Sequence, residues 1–226
     1  MAKIIILDET TKYPITLMGK RAGVCWNGNI EDKDQNYKRG LTCLESEHGR
    51  VLEYVNVEMI IDGYSARVMR EWYTHIGGSP TRLQASTRYI DYKNFDYIMP
   101  DSIRRNKEAQ VCYEKCIYEI KNEMETLVNK YGIPREDAAL LLPLGMETRI
   151  VDKRNLRNLL DMSQQRLCSR ANWEYRKLMK DIMEELKKVS EEWEYIVDNY
   201  FKPKCKKVGY CSERTSCGLV EKKSKL

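Results

Sequence analysis

Hydrophobic residues recur along this chain with two spacings, one typical of strands and one typical of helices. Short apolar or alternating runs predict strands at residues 3–7, 53–61 and 147–153. Apolar positions three or four apart predict helices at residues 31–48, 65–75, 102–131, 154–168 and 171–200. The pattern therefore predicts an α+β fold in which helices dominate and strands are few.

Small and polar residues mark the ends of these elements. Ser65 occupies a capping position before the second helix, and Gly132 and Pro134 end the long third one. The run GGSPT at residues 77–81 is predicted to be a loop, because Gly and Pro punctuate regular structure. Cys112 and Cys116 lie four apart on the long helix, where we expect them to pack as small apolar side chains.

Length and composition exclude several classes of protein. The chain has 226 residues, of which 42% are hydrophobic and 32% are charged. No apolar run approaches the roughly 20 residues that cross a bilayer, and the N-terminal IIIL run is too short for a secretory signal. We therefore expect a folded cytoplasmic protein with no membrane partner.

The net charge of +5 is unevenly distributed. Residues 202–226 hold eight basic and two acidic side chains, a local charge of +6, which leaves −1 for residues 1–201. A nucleic-acid-binding face needs clustered basic groups, so we expect no nucleic acid to bind residues 1–201. We expect a single domain over residues 1–201 and a basic, cysteine-containing tail over residues 202–226. The tail is interpreted as a solubilising end, with contact to RNA or DNA as the alternative.

Three of the eight cysteines, Cys205, Cys211 and Cys217, form a C-x5-C-x5-C series in the tail. A zinc site usually has four ligands, often in more closely spaced pairs, and neither histidine is near this series in sequence. We therefore expect no metal site, with a zinc knuckle in the tail as the alternative.

Two segments concentrate polar groups. Residues 70–89 place Arg, His and hydroxyl groups around a glycine loop, a composition suited to bidentate contacts with phosphate. In residues 154–176, helical spacing puts one largely polar stripe on a common face: Asn155, Asn158, Met162, Gln165, Arg166 and Ser169. Such a stripe can recognise a planar ligand such as a flavin or a pyrimidine, or it can be a solvent face, and periodicity leaves both open.

The sequence lacks the GxSxG, HExxH, P-loop and GxGxxG signatures, but several segments together resemble the flavin-dependent thymidylate synthases. RAGVCW at residues 21–26 and ESEHGRVLEYVNVEMII at 45–61 resemble the early segments of that family. REWYTH, followed by the run Ser86-Thr87-Arg88-Tyr89, resembles its signature region. ALLLPLGMETR, NLRNLL and the spacing of Arg166, Ala171, Trp173 and Glu174 resemble its later motifs. The resemblance spans residues 20–180.

Membership of this family implies a ThyX-like fold, helix-rich with a small, mostly antiparallel sheet. It implies the reductive methylation of dUMP to dTMP, with methylenetetrahydrofolate as the methylene donor and NADPH as the reductant acting through bound FAD. It also implies a homotetramer whose active sites are shared between subunits. Two alternatives stay open: a flavin-dependent pyrimidine nucleotide hydroxymethylase, and a non-catalytic flavin- or nucleotide-binding homologue.

The resemblance also assigns roles by position. Arg166 and Ser86 are implied to be catalytic, and Arg166 is expected to contact the uracil ring and favour its ionised form. The implied dUMP-binding residues are Glu71, Thr74, Gln84, Ser86, Thr87, Arg88 and Arg166. The implied flavin-binding residues are His48, Arg50, His75, Arg82, Asn155, Arg157 and Asp161.

The signature region departs from the family pattern. The family has Arg-His-Arg seven residues before the Ser, whereas this chain has Thr74-His75-Ile76 and nine residues before Ser86. Ala139 stands where an arginine is expected to bind phosphate. Each lost charge-assisted contact costs about 1.5–3 kcal/mol. Arg82, inside the lengthened loop, is the candidate to restore one guanidinium group.

Overall fold

The computed structural model describes residues 2–222, and about half of the chain is helical. Two short 3-10 helices, Val51–Tyr54 and Ala139–Leu141, accompany the longer elements. In chain order the strands and α-helices are β1 (Lys3–Ile6), α1 (Pro14–Cys25), α2 (Lys33–Glu45), β2 (Asn56–Ser65), α3 (Ala66–Trp72), β3 (Thr81–Gln84), α4 (Asp101–Arg104), α5 (Lys107–Asn129), α6 (Arg135–Ala138), β4 (Glu147–Asn155), α7 (Leu156–Arg166), α8 (Trp173–Lys187), α9 (Glu191–Tyr200) and α10 (Lys204–Val208).

The four strands form one small antiparallel sheet in the order β1-β2-β4-β3. The two long strands, β2 and β4, are central, and alternate residues along each are buried. Four consecutive members of the buried face of β4 are Thr148, Ile150, Asp152 and Arg154. The predicted helix-rich α+β fold with a small, mostly antiparallel sheet is confirmed.

The chain divides into two compact units. Unit 1 comprises Ala2, Ile61–Thr74 and Leu83–Ile150, and unit 2 comprises Lys3–Ile60, His75–Arg82 and the residues from Val151 onward. Strands β2, β3 and β4 each contribute residues to both units.

Unit 1 has a small core beside its long helix α5. Phe95 and Met146 pack in this core with Ile117 and Met124, which are the two buried residues among the 23 of α5. The expectation that Cys112 and Cys116 are packed is wrong, because both are exposed. The inward face of α5 contains Ile117, so position 116 is rotated from it by about 100°.

In unit 2, the backbones of α1 and α2 touch where two glycines face the opposite helix. A Cβ at Gly19 would lie 1.7 Å from the carbonyl oxygen of Asn36, and a Cβ at Gly40 would lie 2.0 Å from that of Ile15. Helix α1 was not predicted, because glycines such as Gly19 interrupt its apolar positions and the helix begins at Pro14. Its first turn has a distant cap: the N–H groups of Ile15 and Thr16 donate to Glu192 Oε2 at 2.6 and 3.0 Å.

The single helix predicted over residues 171–200 is wrong, because the structure has two helices there. The backbone of Ser190 is extended, and its Oγ accepts a hydrogen bond from the N–H of Trp193 at 3.3 Å. Ser190 therefore caps α9, which turns its buried face, Trp193, Ile196 and Val197, onto the core of unit 2.

Within residues 2–222, no helix combines the length and apolar character needed to cross a membrane.

Replacing Gly40 with Ala should destabilise the protein by about 1–3 kcal/mol, because the new Cβ overlaps a backbone atom that cannot rotate away. In an ordinary helix interior the same change stabilises by about 1 kcal/mol, so the sign of the effect is the test. The measurement is Tm by calorimetry. Lys38→Ala, on the exposed face of α2, is the control and should change stability by less than about 0.5 kcal/mol. An unchanged or raised Tm for Gly40→Ala would show that α1 and α2 do not touch here.

Candidate functional site

Unit 2 buries a charged arginine at the end of β4. Arg154 is 1% exposed, and its Nε and Nη2 donate to the two carboxylate oxygens of Asp152 at 2.6 and 2.8 Å. Its Nη1 donates to Asn158 Oδ1 at 2.6 Å. A buried charge needs such partners, since an unpaired one would be strongly destabilising. The network ties the end of β4 to the first turn of α7.

Helix α7 starts directly after β4 because Asn155 caps it. Asn155 Oδ1 accepts a hydrogen bond from the N–H of Asn158 at 2.9 Å. Asn155, Asn158 and Met162 are all buried, so the first part of the predicted polar stripe is not a solvent face. Gln165 and Ser169, farther along, are exposed.

Arg166, the last residue of α7, meets His75 from a distant part of the chain. Arg166 Nε donates to His75 Nε2 at 3.1 Å. The guanidinium carbon lies 4.6 Å from the centre of the Tyr175 ring, which also meets the His75 ring edge-on at 6.2 Å between centroids. Two of the predicted site residues, His75 and Arg166, are thus in direct contact.

The surroundings of His75 keep its imidazole neutral. Burial lowers the pKa of His75 from 6.5 to about 4, and the nearby charges of Arg166 and Arg154 act in the same direction. Nε2 accepts the hydrogen bond from Arg166, which assigns the proton of the neutral ring to Nδ1.

The glycine loop after His75 packs against the start of α7. A Cβ at Gly77 would lie 3.1 Å from Asn158 Nδ2, and a Cβ at Gly78 would lie 2.2 Å from Asn155 Nδ2. Gly78 also has a φ of +73°, a backbone conformation that favours glycine. The loop backbone is therefore seated on the two buried amides of α7.

A second feature of unit 2 is a cavity of about 480 Å³ beside the outer face of α7. Arg157 and Asp161 line it, together with Gly49, Leu52, Gln164 and Lys207. Arg157 Nη1 donates to Glu53 Oε1 at 2.6 Å. The predicted residues His48 and Arg50 flank Gly49 and are exposed.

The predicted nucleotide-binding residues lie in unit 1, apart from Arg166. The half-buried Ser86 accepts a hydrogen bond at Oγ from the N–H of Arg88 at 3.2 Å, and Arg88 Nε donates to Glu136 Oε2 at 2.8 Å. Gln84 donates through Nε2 to Thr148 Oγ1 at 3.2 Å. These contacts order the Ser86–Arg88 turn next to β3 and β4.

Thr87, from the same turn, lines a cavity of about 130 Å³ in unit 1. Lys93, Arg135 and Ala139 also line it. The family resemblance leads one to expect an arginine at position 139, where this chain has Ala. Arg135 lines the same cavity and brings a guanidinium group to it.

Two other predicted nucleotide-binding residues, Glu71 and Thr74, lie at the end of α3. Thr74 Oγ1 donates to the carbonyl oxygen of Glu71 at 2.7 Å. Arg82 was expected inside a lengthened loop, and this is wrong, because residues 81–84 form β3. Pairing with β4 orders this segment, and the N–H of Ala85 donates to the carbonyl oxygen of Arg149 at 2.8 Å.

Asp152, Arg154 and Tyr175 were missed as members of the site. A signal for the first two was present: in a strand, Ile150, Asp152 and Arg154 share one face. Opposite charges two apart on a buried face predict an ion pair. No comparable pattern marked Tyr175, because its position depends on how α8 packs against α7.

Among residues 2–222, no three His, Cys, Asp or Glu side chains stand close enough together to share a metal ion.

Comparisons with known proteins agree with the fold. Residues 7–191 match the family described as thymidylate synthase complementing protein. Two solved structures of flavin-dependent thymidylate synthase ThyX from Helicobacter pylori with FAD and dUMP superpose with TM-scores of 0.68 and 0.69. Each is 18% identical in sequence to this chain. The superposition covers the whole of each solved chain and 88% and 89% of this chain, respectively.

Curated relatives named flavin-dependent thymidylate synthase are similar over most of the sequence. The protein from Nitratidesulfovibrio vulgaris is 30% identical over 85% of this chain and 81% of its own length. The protein from Pyrococcus abyssi is 34% identical over 74% of this chain and 69% of its own. The protein from Clostridium tetani is 27% identical over 97% of this chain and 95% of its own length. With the family match over residues 7–191, this chain belongs to the thymidylate synthase complementing protein family, the flavin-dependent thymidylate synthases.

Proposed function

We propose that this chain is a flavin-dependent thymidylate synthase that converts dUMP to dTMP. In this reaction methylenetetrahydrofolate gives a methylene group to C5 of the uracil and leaves as tetrahydrofolate, and C5 loses its proton. Bound FAD would supply the hydride, taken from NADPH, that reduces the methylene to methyl. The observation that carries the proposal is the contact of Arg166 with a neutral His75. It fixes a guanidinium group beside His75, and the loop after His75 packs on the buried amides of Asn155 and Asn158, in a chain of this family.

The residues of unit 2 fit a flavin nucleotide. Such a ligand needs partners for a planar, hydrogen-bonding ring and positive charge for its phosphates. Asn155 and His75 bring polar groups to the glycine loop, and Arg157 brings charge to the 480 Å³ cavity, a volume in the usual range of about 300–1,000 Å³ for ligand sites. We assign FAD binding to His48, Arg50, His75, Arg82, Asn155, Arg157 and Asp161.

Arg166 is proposed to act on the uracil ring. A guanidinium donor at a uracil carbonyl stabilises negative charge on the ring, and the ionised ring is the better nucleophile at C5. His75 acts through Arg166 and is a positioning residue. The hydrogen bond that His75 Nε2 accepts from Arg166 Nε restrains the rotation of the guanidinium group. A protonated His75 could not accept this hydrogen bond and would repel Arg166.

The nucleotide is proposed to bind the turn of unit 1. Ser86, Thr87 and Arg88 are assigned to the dUMP phosphate, with Glu71, Thr74 and Gln84 completing the set. Arg135, in the cavity lined by Thr87 and Ala139, is proposed to supply the guanidinium contact that Ala139 cannot make.

The assembly and cellular setting are also proposals. We propose a homotetramer in which Ser86 and Arg166 of one active site come from different subunits. Residues 1–201 are proposed to form the catalytic domain and residues 202–226 a basic tail, in a protein that acts in the cytoplasm.

His75 is expected to titrate near pH 4. The chain has two histidines, so comparison with His48→Asn assigns the imidazole resonance of His75 in an NMR titration. The folded pKa lies below the unfolded value of 6.5, so the stability that depends on a neutral His75 is complete above pH 6.5. It is lost as the pH falls from 6.5 toward 4.

Arg166→Gln should raise the midpoint of His75, because it removes a nearby positive charge. The midpoint should stay below 6.5, since burial is the largest cause of the shift. A midpoint near 6.5 in the parent protein would contradict the neutral acceptor.

Gly78→Ala should weaken FAD binding about tenfold, or about 1.4 kcal/mol, because the added Cβ displaces the Asn155 amide. Gly132→Ala is the matched control: Gly132 has a φ of +69°, and a Cβ added there would meet no atom within 4 Å. Both changes cost about 1–2 kcal/mol of backbone strain, so only the contact with Asn155 differs. FAD fluorescence titration measures the affinity. Equal FAD affinities for the two variants would show that the loop does not position Asn155 for the flavin.

The proposed reaction is tested by the mass of the nucleotide formed from dUMP, methylenetetrahydrofolate and NADPH by the FAD-loaded protein. A gain of CH2 supports the synthase, whereas a gain of CH2O identifies the hydroxymethylase and no product identifies a binding protein. Arg166→Ala should lower kcat by about 10²-fold or more, and Ser86→Ala should raise the KM for dUMP about tenfold. Arg105→Ala, on the exposed surface after α4, should leave both constants unchanged.

A further inference from the structure

A cavity of about 350 Å³ lies at the C-terminal end of α7 in unit 2, and Arg166 lines it. Arg170, in the connection to α8, lines it as well. Residues between Pro203 and Cys217, the C-terminal segment, line the rest of it. This segment lies beyond residues 7–191, the part of the chain that the family match covers. The cavity therefore joins a proposed catalytic residue to a segment outside that match.

The charged side chains of this cavity are mostly positive. Arg166, Arg170 and Lys204 line it, and Glu213 is the one carboxylate among its described lining residues. Arg170 Nε lies 3.2 Å from Glu213 Oε2, so these two charges compensate each other. Lys204 is exposed and forms no ion pair within residues 2–222. An anionic group that enters the cavity can therefore approach the Lys204 ammonium group without displacing a carboxylate.

Contacts within unit 2 hold Lys204 at the cavity. Lys204 is the first residue of α10, which packs against α7. At the other end of α10, Lys207 Nζ lies 3.2 Å from Glu47 Oε1. Farther along the segment, Cys211 is 6% exposed, and its N–H donates to the carbonyl oxygen of Glu221 at 2.7 Å. The cavity wall is thus formed in the structure and needs no rearrangement.

The proposed reaction includes a substrate whose negative charges have no partner in the assignments above. The dUMP phosphate is assigned to the turn at Ser86, and positive charge for the flavin phosphates is assigned to Arg157. Methylenetetrahydrofolate must reach the uracil ring, which is proposed to lie at Arg166, and the glutamate at its far end carries two carboxylates. NADPH is also anionic, but it delivers its hydride to the flavin and need not approach the uracil. The folate carboxylates are therefore the anions that a cationic cavity beside Arg166 suits best.

We propose that this cavity binds the glutamate carboxylates of methylenetetrahydrofolate and that Lys204 is their cationic partner. An ammonium group forms charge-assisted hydrogen bonds with carboxylate oxygens. Ser212 and Thr215 line the same cavity and bring hydroxyl donors to it. The inference rests on the proposed function, because it takes the folate as a substrate. Lys204 is a binding residue, so it acts on the affinity for the folate.

The test is the binding of 5-formyltetrahydrofolate, which transfers no methylene group, to the full-length protein with FAD and dUMP present and NADPH absent. Isothermal titration calorimetry measures the affinity. Lys204→Ala should weaken binding about 3–10-fold, and Lys204→Glu should weaken it further. Lys206→Ala and Lys206→Glu are the matched controls, because Lys206 is exposed on the same helix but does not line the cavity. Both should stay within about twofold of the parent protein.

A second probe isolates the carboxylates. 5-Formyltetrahydrofolate with both glutamate carboxylates converted to amides should bind the parent protein and Lys204→Ala equally. Raising NaCl from about 50 to 500 mM should weaken binding of the acid to the parent protein more than to Lys204→Ala.

Glu213→Gln should act in the opposite direction and tighten binding of the acid about 2–3-fold, because it removes a negative charge from the cavity and releases Arg170. The side chains of this ion pair are 51% and 46% exposed, so its loss should leave Tm nearly unchanged.

Several results would overturn the proposal. One is an equal loss of affinity in Lys204→Ala and Lys206→Ala, and another is an equal loss for the acid and the amide probe. Flavin reduction by NADPH without folate gives a separate reading. A raised KM for NADPH in Lys204→Ala, with unchanged folate affinity, would assign the cavity to the reductant instead.

The same measurements separate this inference from the proposed reaction. Folate binding that depends on Lys204, in a protein that forms no dTMP, would support the binding site and reject the reaction. Formation of dTMP with unchanged folate affinity in Lys204→Ala would support the reaction and reject the binding site. A parent protein that does not bind the folate would reject both.

Discussion

Arg154 carries a positive charge into the interior of unit 2, and the position of the candidate site follows from how that charge is paired. Both carboxylate oxygens of Asp152 receive its hydrogen bonds, and a third goes to Asn158. Removing one partner of such a pair costs about 3–5 kcal/mol, so strand β4 and helix α7 are held in one register. Arg166 is placed by the same arrangement, because it ends the helix that Asn155 and Asn158 begin.

Burial and the nearby charges keep the imidazole of His75 neutral. Arg154 and Arg166 both act on the imidazole, which stays neutral and contributes an acceptor without adding a third positive charge. The charge of Arg154 is paired with the carboxylate of Asp152, so the two guanidinium groups act on the imidazole as close neighbours and not as a free cationic patch. A protonated His75 would add a positive charge beside both arginines and could not accept the hydrogen bond from Arg166.

Sequence patterns identified most elements but not the points where two elements constrain each other. The helix-rich α+β class, the Ser65 cap and the strand at 147–153 followed from periodicity and capping chemistry. The break at Ser190 was missed because apolar spacing continues across it. The contact of His75 with Arg166 joins residues 91 apart and leaves no trace in local spacing. Resemblance to a family identified both residues. The buried pair of Asp152 and Arg154 could have been predicted only by following the alternation along β4 past residue 153.

The cap that Glu192 provides for α1 bears on the order in which the chain can fold during synthesis. The N–H groups of Ile15 and Thr16 receive their carboxylate only after the ribosome has added some 177 further residues. Until then α1 lacks a partner for its first turn, and the side of α1 that later meets α9 stays uncovered. Unit 2 therefore cannot be completed from its N-terminal half alone. The first turn of α1 is therefore completed only after the sheet, α5 and α9 have all been synthesised.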